Sequence, residues 1–199
     1  YTYVTCLTRP SEAKNAVFPW TQKLAETFKE KNGYDILDVL PELFFQPAGG
    51  VLPQTRVTFW DHVSELFASS FADTIGAWCE KNNLLFTGHL MWEPTLHTQV
   101  IGVGEAMRSY RSFGLPGIDM LGNGYEYMTA KQAQSASHQF GRVGVLSEMY
   151  GVTRWSFDFR GHKLQGDWQA ALGITTRVHH LSLLSLLGEA KRDYPASFN

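Results

Sequence analysis

Past about residue 58, helical periodicity alternates with short apolar runs, and this alternation restricts the fold more than any other feature of the chain. Trp60, Val63, Phe67, Phe71, Ile75 and Trp78 recur at steps of three and four, the period of a helix, and predict one long helix over Thr58 to Asn82. The apolar run Leu84 to Gly88 follows, then a helical stretch from Leu96 to Phe113 and the run Gly117 to Leu121. A helical stretch from Thr129 to Phe140 precedes Val143 to Glu148, and one near Asp167 to Leu172 precedes Ile174 to His180. Short apolar strands without polar alternation are buried on both faces, which is the mark of parallel βα units.

Two architectures use such units. A doubly wound sheet carries a glycine-rich phosphate turn after its first strand, and no GxGxxG or GxxxxGK[ST] run is present. The pattern therefore predicts an α/β fold of the TIM-type (β/α)8 barrel, whose chemistry collects at the C-terminal strand ends. With Tyr1 to Leu7 included, about five strands can be read against the eight of a closed barrel. The expectation is the later part of a barrel, about strands 4–8, with residues 1–199 forming a single catalytic-domain segment. The chain opens on Tyr-Thr-Tyr-Val-Thr and closes on Ser-Phe-Asn, so both ends read as cut from something longer. The remainder of a longer chain, or another copy, is expected to complete the barrel.

The first fifty residues are of a different kind. Leu24 and Phe28 on a Lys/Glu-rich background predict an amphipathic helix over Thr21 to Lys31, stopped by Asn32-Gly33. Tyr34 to Phe45 reads as a short helix broken at Pro41, and Gly49-Gly50 with Pro53 as a loop.

Composition excludes several partners. The 199 residues are 44% hydrophobic and 14% aromatic, enough for a buried core. A net charge of -2 provides no basic field for nucleic acid. Cys6 and Cys79 are the only cysteines, too few for a disulfide scaffold or a four-cysteine zinc site. The apolar stretch Leu181 to Leu187 is short and interrupted by serine, so no membrane span is expected. The lack of a visible signal and of paired cysteines predicts a cytoplasmic location and leaves a secreted or periplasmic one open.

The expected barrel mouth is rich in carboxylates. Glu148 directly follows an apolar strand, a position suited to a nucleophile or general base, or to a strand-end ion pair with Arg142 or Arg154. Glu93, beside Trp92 and downstream of His89, is the candidate general acid, since aromatic packing raises a carboxyl pKa. It also reads as a helix-start carboxylate. Asp119 and Asp158 lie near strand ends, where each could bind a sugar hydroxyl or pair with arginine. His89, Trp92, Trp155 and His179 complete the expected substrate contacts. His179-His180 is a weak zinc motif, because neighbours on a strand face opposite sides, and no metal ligand set is assigned. No Gly-x-Ser-x-Gly elbow is present. Carboxylates with aromatic platforms and no cofactor motif point to carbohydrate as the partner.

Thr87-Gly88-His89-Leu90-Met91, Pro116-Gly117-Ile118-Asp119, Thr129 to Gln132 with Ser137 to Arg142, and Leu146-Ser147-Glu148 together resemble the catalytic barrel of the α-L-rhamnosidase-like glycoside hydrolases, family 106 and its relatives. Phe18-Pro19-Trp20-Thr21, Gly33-Tyr34-Asp35 and Leu40 to Phe44 extend the resemblance over nearly the whole chain. It implies a hydrolase of terminal glycosides with Glu148 at the end of strand seven, no organic cofactor, and a possible calcium ion. It also implies an acid at the end of strand four, where this chain reads Thr8-Arg9-Pro10. Either Glu12 or Glu93 replaces that acid, or the chain is a degenerate, non-catalytic sugar-binding barrel fragment.

Overall fold

A computed structural model describes residues 17–45, 49–154 and 156–180. The expected strand Tyr1 to Leu7, the segment Thr8-Arg9-Pro10, Glu12 and Trp155 lie outside the described residues. The chain divides into two compact units, one up to Phe67 and one from Ala68 onward.

The described part of the first unit is mainly helical. Helix α1 (Leu24–Asn32) buries Leu24 and Phe28, the two apolar positions four residues apart, and ends on Gly33 in the left-handed region. A 3-10 turn (Ile36–Val39) follows, begun by Asp35, whose carboxylate accepts from the Leu37 amide. Helix α2 (Pro41–Phe44) starts at Pro41, where the missing amide hydrogen costs nothing, so this proline begins a helix instead of breaking one. Helix α3 (Gln54–Phe67) completes the unit. Leu24, Phe28, Ile36, Leu43 and Phe59 form its core. Arg56 donates from Nε to the Glu42 carbonyl at 2.8 Å and from Nη2 to the Phe45 carbonyl at 2.9 Å, which joins α3 to α2.

The second unit opens on six residues wound as a π-helix (Ala68–Asp73) and then helix α4 (Thr74–Lys81). The wider π turn shifts the phase of the helix, so the stripe expected from an unbroken 3.6-residue period is not the buried one. Ala68, Ala72 and Gly76 are buried, whereas Phe71 is 40% and Trp78 59% exposed. Strand β1 (Thr87–His89) leads to helices α5 (Leu96–Val103) and α6 (Ala106–Tyr110). The single helix expected over Leu96 to Phe113 is divided at Gly104, whose φ of 80° and ψ of -101° lie outside the helical region and favour glycine.

Strand β2 (Leu115–Met120), helix α7 (Tyr127–Gln139), strand β3 (Leu146–Met149), helix α8 (Phe159–Ala171) and strand β4 (Thr176–His179) are the remaining described elements of the unit. The four strands are parallel and lie in chain order, β1-β2-β3-β4. The order never reverses among them, so they form no switch-point crevice of the doubly wound kind. Among the described residues, no helix is long and apolar enough to cross a membrane.

Close approach of β1 and β2 depends on one glycine. A Cβ on Gly117 would collide with the Gly88 carbonyl oxygen, a backbone atom that cannot yield without breaking the ladder. Gly117→Ala is expected to cost about 3 kcal/mol, at the upper end of ordinary overpacking. Urea unfolding measures it, and an unchanged midpoint would contradict this account of the β1–β2 contact.

Candidate active site

The C-terminal ends of the strands gather ionisable side chains on one face of the sheet. His89 ends β1, while Asp119 and Glu148 are the next-to-last residues of β2 and β3. Ladder partners point to the same side, as do residues two apart. Asp119 pairs with Glu148, and His89 pairs with Gly117, two residues before Asp119. All three side chains therefore leave the same face. His180 joins them from the chain leaving β4, two residues after Val178, the partner of Glu148. Ile118, Met120, Ser147 and Met149 occupy the other face and are buried.

Glu148 sits between two imidazoles. Its Oε1 is 3.8 Å from His180 Nε2 and its Oε2 is 3.8 Å from His89 Nε2, which is ion-pair range and too long for a direct hydrogen bond. His89 Nδ1 lies 2.9 Å from the Leu90 carbonyl oxygen, an acceptor only, so Nδ1 carries the hydrogen and donates it. The Nε2 that faces Glu148 is then a bare lone pair in the neutral ring.

Glu93 has the opposite environment. It lies in the β1–α5 connection, is 6% exposed, and its Oε1 has no hydrogen-bond partner. Burial pushes its carboxyl pKa up to about 7, opposed by its own amide and by His89, and assisted by Glu126 and Asp119. The connection is held by Gln99, whose Nε2 donates to the Glu93 carbonyl at 2.7 Å, and by Thr98, whose hydroxyl donates to the Trp92 carbonyl at 2.7 Å. Thr95 caps α5 by accepting from the Thr98 amide, so Glu93 is not the cap. Burial also raises the Asp119 pKa, with Glu148 and Glu126 acting in the same direction and His89 and His180 against it.

The structure thus brings together Glu93, His89, Asp119 and Glu148, all of them expected from the sequence. Trp92, with a φ of 69°, packs against Gly102 and leaves 45% of its surface exposed. His179 faces the other side of the sheet, its ring 5.1 Å from that of Tyr150. Asp158 caps α8, accepting from the Gly161 amide at 2.9 Å.

Glu126 and Tyr110 join the cluster without having been expected there, and of the pair His179-His180 it is the second that reaches Glu148. His180 replaces its neighbour His179, since strand parity allows only one of the pair to face Glu148. Glu126, at the start of α7, is coupled electrostatically to both Glu93 and Asp119. Tyr110 is fully buried, donates its hydroxyl to the Gly117 carbonyl at 2.8 Å, and has its pKa pushed up by burial and by Glu93. Among the described residues, no three His, Cys, Asp or Glu side chains are grouped to hold a metal ion.

No family model and no curated protein matches the chain. The fold has a solved counterpart in a rhamnosidase. The rhamnosidase from Novosphingobium sp. PP1Y superposes with a TM-score of 0.65 and 21% sequence identity over 82% of this chain. The match spans 16% of the length of that enzyme. At this identity the likeness concerns the fold, which is rhamnosidase-like: mixed α/β with a parallel four-stranded sheet and flanking helices.

Proposed function

We propose that the chain is the later part of a TIM-type barrel and acts as a glycoside hydrolase on a terminal, rhamnose-like sugar. One observation carries this reading: two carboxyl groups in a single cluster differ sharply in environment. Glu93 is buried and retains its proton to about pH 7, whereas Glu148 is open and flanked by two imidazoles. Carboxyl groups whose environments separate them in this way divide acid and base work. Glu93 donates its proton to the departing glycosidic oxygen. Glu148 acts opposite it as base or nucleophile. Asp119 and His89 hydrogen-bond sugar hydroxyls, and the exposed ring of Trp92 offers a face to the pyranose. The rhamnosidase-like fold supports a glycoside as substrate, since active sites of parallel barrels lie at these strand ends.

Turnover of a panel of 4-nitrophenyl glycosides, beginning with the α-L-rhamnoside, tests the reading. Release of nitrophenolate from at least one member is expected. Calorimetric binding of rhamnose without turnover of any member would overturn catalysis and identify a sugar-binding remnant.

A further inference from the structure

A cavity of about 390 Å3 lies at the other ends of the strands, against the residues that precede β1, β2 and β3. Nothing in the proposed hydrolysis uses it. Two guanidinium groups line it, and they differ in how their charge is met. Arg111 is matched: its Nε donates to Asp73 Oδ1 at 3.1 Å and its Nη2 to Oδ2 at 2.5 Å. The Ser112 hydroxyl also donates to Asp73, whose pKa is held below the usual carboxylate value chiefly by the Arg111 hydrogen bonds. Asp73 is thereby fully engaged.

Arg142 is not matched. Its Nη2 donates to the Arg111 carbonyl at 2.6 Å, which fixes the guanidinium but leaves its charge unbalanced. Its Nε is buried without a hydrogen-bond partner, and no carboxylate within ion-pair distance of it occurs among the described residues. A cation that lines a cavity with no carboxylate paired to it favours an anionic ligand there. The adjoining wall is apolar, made by Leu85 and by Phe86, whose ring lies 4.2 Å from that of Phe113. Glu80, an exposed lining residue, disfavours ligands of high negative charge.

We propose that this cavity binds a small organic monocarboxylate, its carboxylate engaging Arg142 and its apolar body lying on Leu85 and Phe86. The test is 19F NMR of 4-fluorobenzoate with the 199-residue chain. Saturable binding is expected, with 4-fluorobenzyl alcohol bound about 10- to 100-fold more weakly, the usual worth of a hydrogen bond to a charged group. Arg142→Gln should weaken the benzoate by a similar factor while far-UV circular dichroism is unchanged. Ala77→Phe leaves Arg142 in place and fills the cavity, so it should abolish binding; it decides the matter if Arg142→Gln does not fold. No response at millimolar probe, equal binding of the neutral alcohol, or binding retained in either folded variant would overturn the proposal.

Discussion

Glu93→Gln is expected to slow hydrolysis of alkyl glycosides by about two to four orders of magnitude while stabilising the protein at and above neutral pH. The two effects have one origin. An alkoxide departs only with a proton, and in the proposed reaction Glu93 is the group that supplies it. A 4-nitrophenyl leaving group is already acidic and depends far less on that proton, so the defect should be much smaller on aryl substrates. In the native protein, kcat/KM on alkyl substrates should fall as pH rises through about 7, and the variant should lack this limb.

The sign of the stability effect follows from the same group. Its pKa is about 7 in the folded protein against 4.5 for an unperturbed carboxyl. Between those values the folded chain holds a proton that the unfolded chain has released, so stability falls as pH rises through this window and stays at the lower level beyond it. At 1.36 kcal/mol per unit of pKa the loss is about 3 kcal/mol. Glutamine cannot ionise and avoids it. Urea midpoints at pH 5 and pH 8 measure the difference: the native protein should lose stability between them and the variant much less. Asp119, shifted the same way by burial, leaves a residual slope of the same sign in both. Parallel midpoints, or an undiminished rate on alkyl glycosides, would remove Glu93 from its role.

Glu148→Gln has the other large expected effect, a loss of about two to four orders of magnitude on alkyl and aryl glycosides alike. A base or nucleophile acts at the sugar carbon, so the acidity of the leaving group cannot compensate for its absence. The side chain is partly exposed and makes no direct hydrogen bond to either imidazole, so its amide fits the same space. Binding of rhamnose and the unfolding midpoint should therefore stay near native values. Substantial turnover of the aryl substrate by this variant would exclude Glu148 from the chemistry.

Much of the second unit was legible because each strand announces itself locally. Ile118 and Val145 sit in apolar runs bounded by glycine, and a carboxylate at the end of such a run is visible without a structure. Leu24 and Phe28 were legible as a buried pair for the same reason. What escaped depends on atoms distant in sequence or on small changes of helical pitch. The π turn over Ala68–Asp73 moves Phe71 and Trp78 off the buried stripe, and composition does not record a change of pitch. The choice between His179 and His180 depends on register against β3, set by the pairing of Val178 with Glu148. Glu126 reads as one more polar residue before a helix until the fold brings it within electrostatic reach of Glu93.

The dispersal of the site along the chain also bears on the order in which the protein acquires its chemistry. His89, Asp119, Glu148 and His180 come one from each strand or its exit, and two imidazoles reach the same carboxylate from opposite edges of the described sheet. Contacts between segments far apart in sequence are the slow ones in folding. Neither hairpin-sized fragments nor an intermediate with three strands in place would carry both imidazoles beside Glu148. Recovery of the proposed activity after dilution from denaturant is therefore expected to await the docking of β4, the last of the described strands, and to lag behind the return of helical signal.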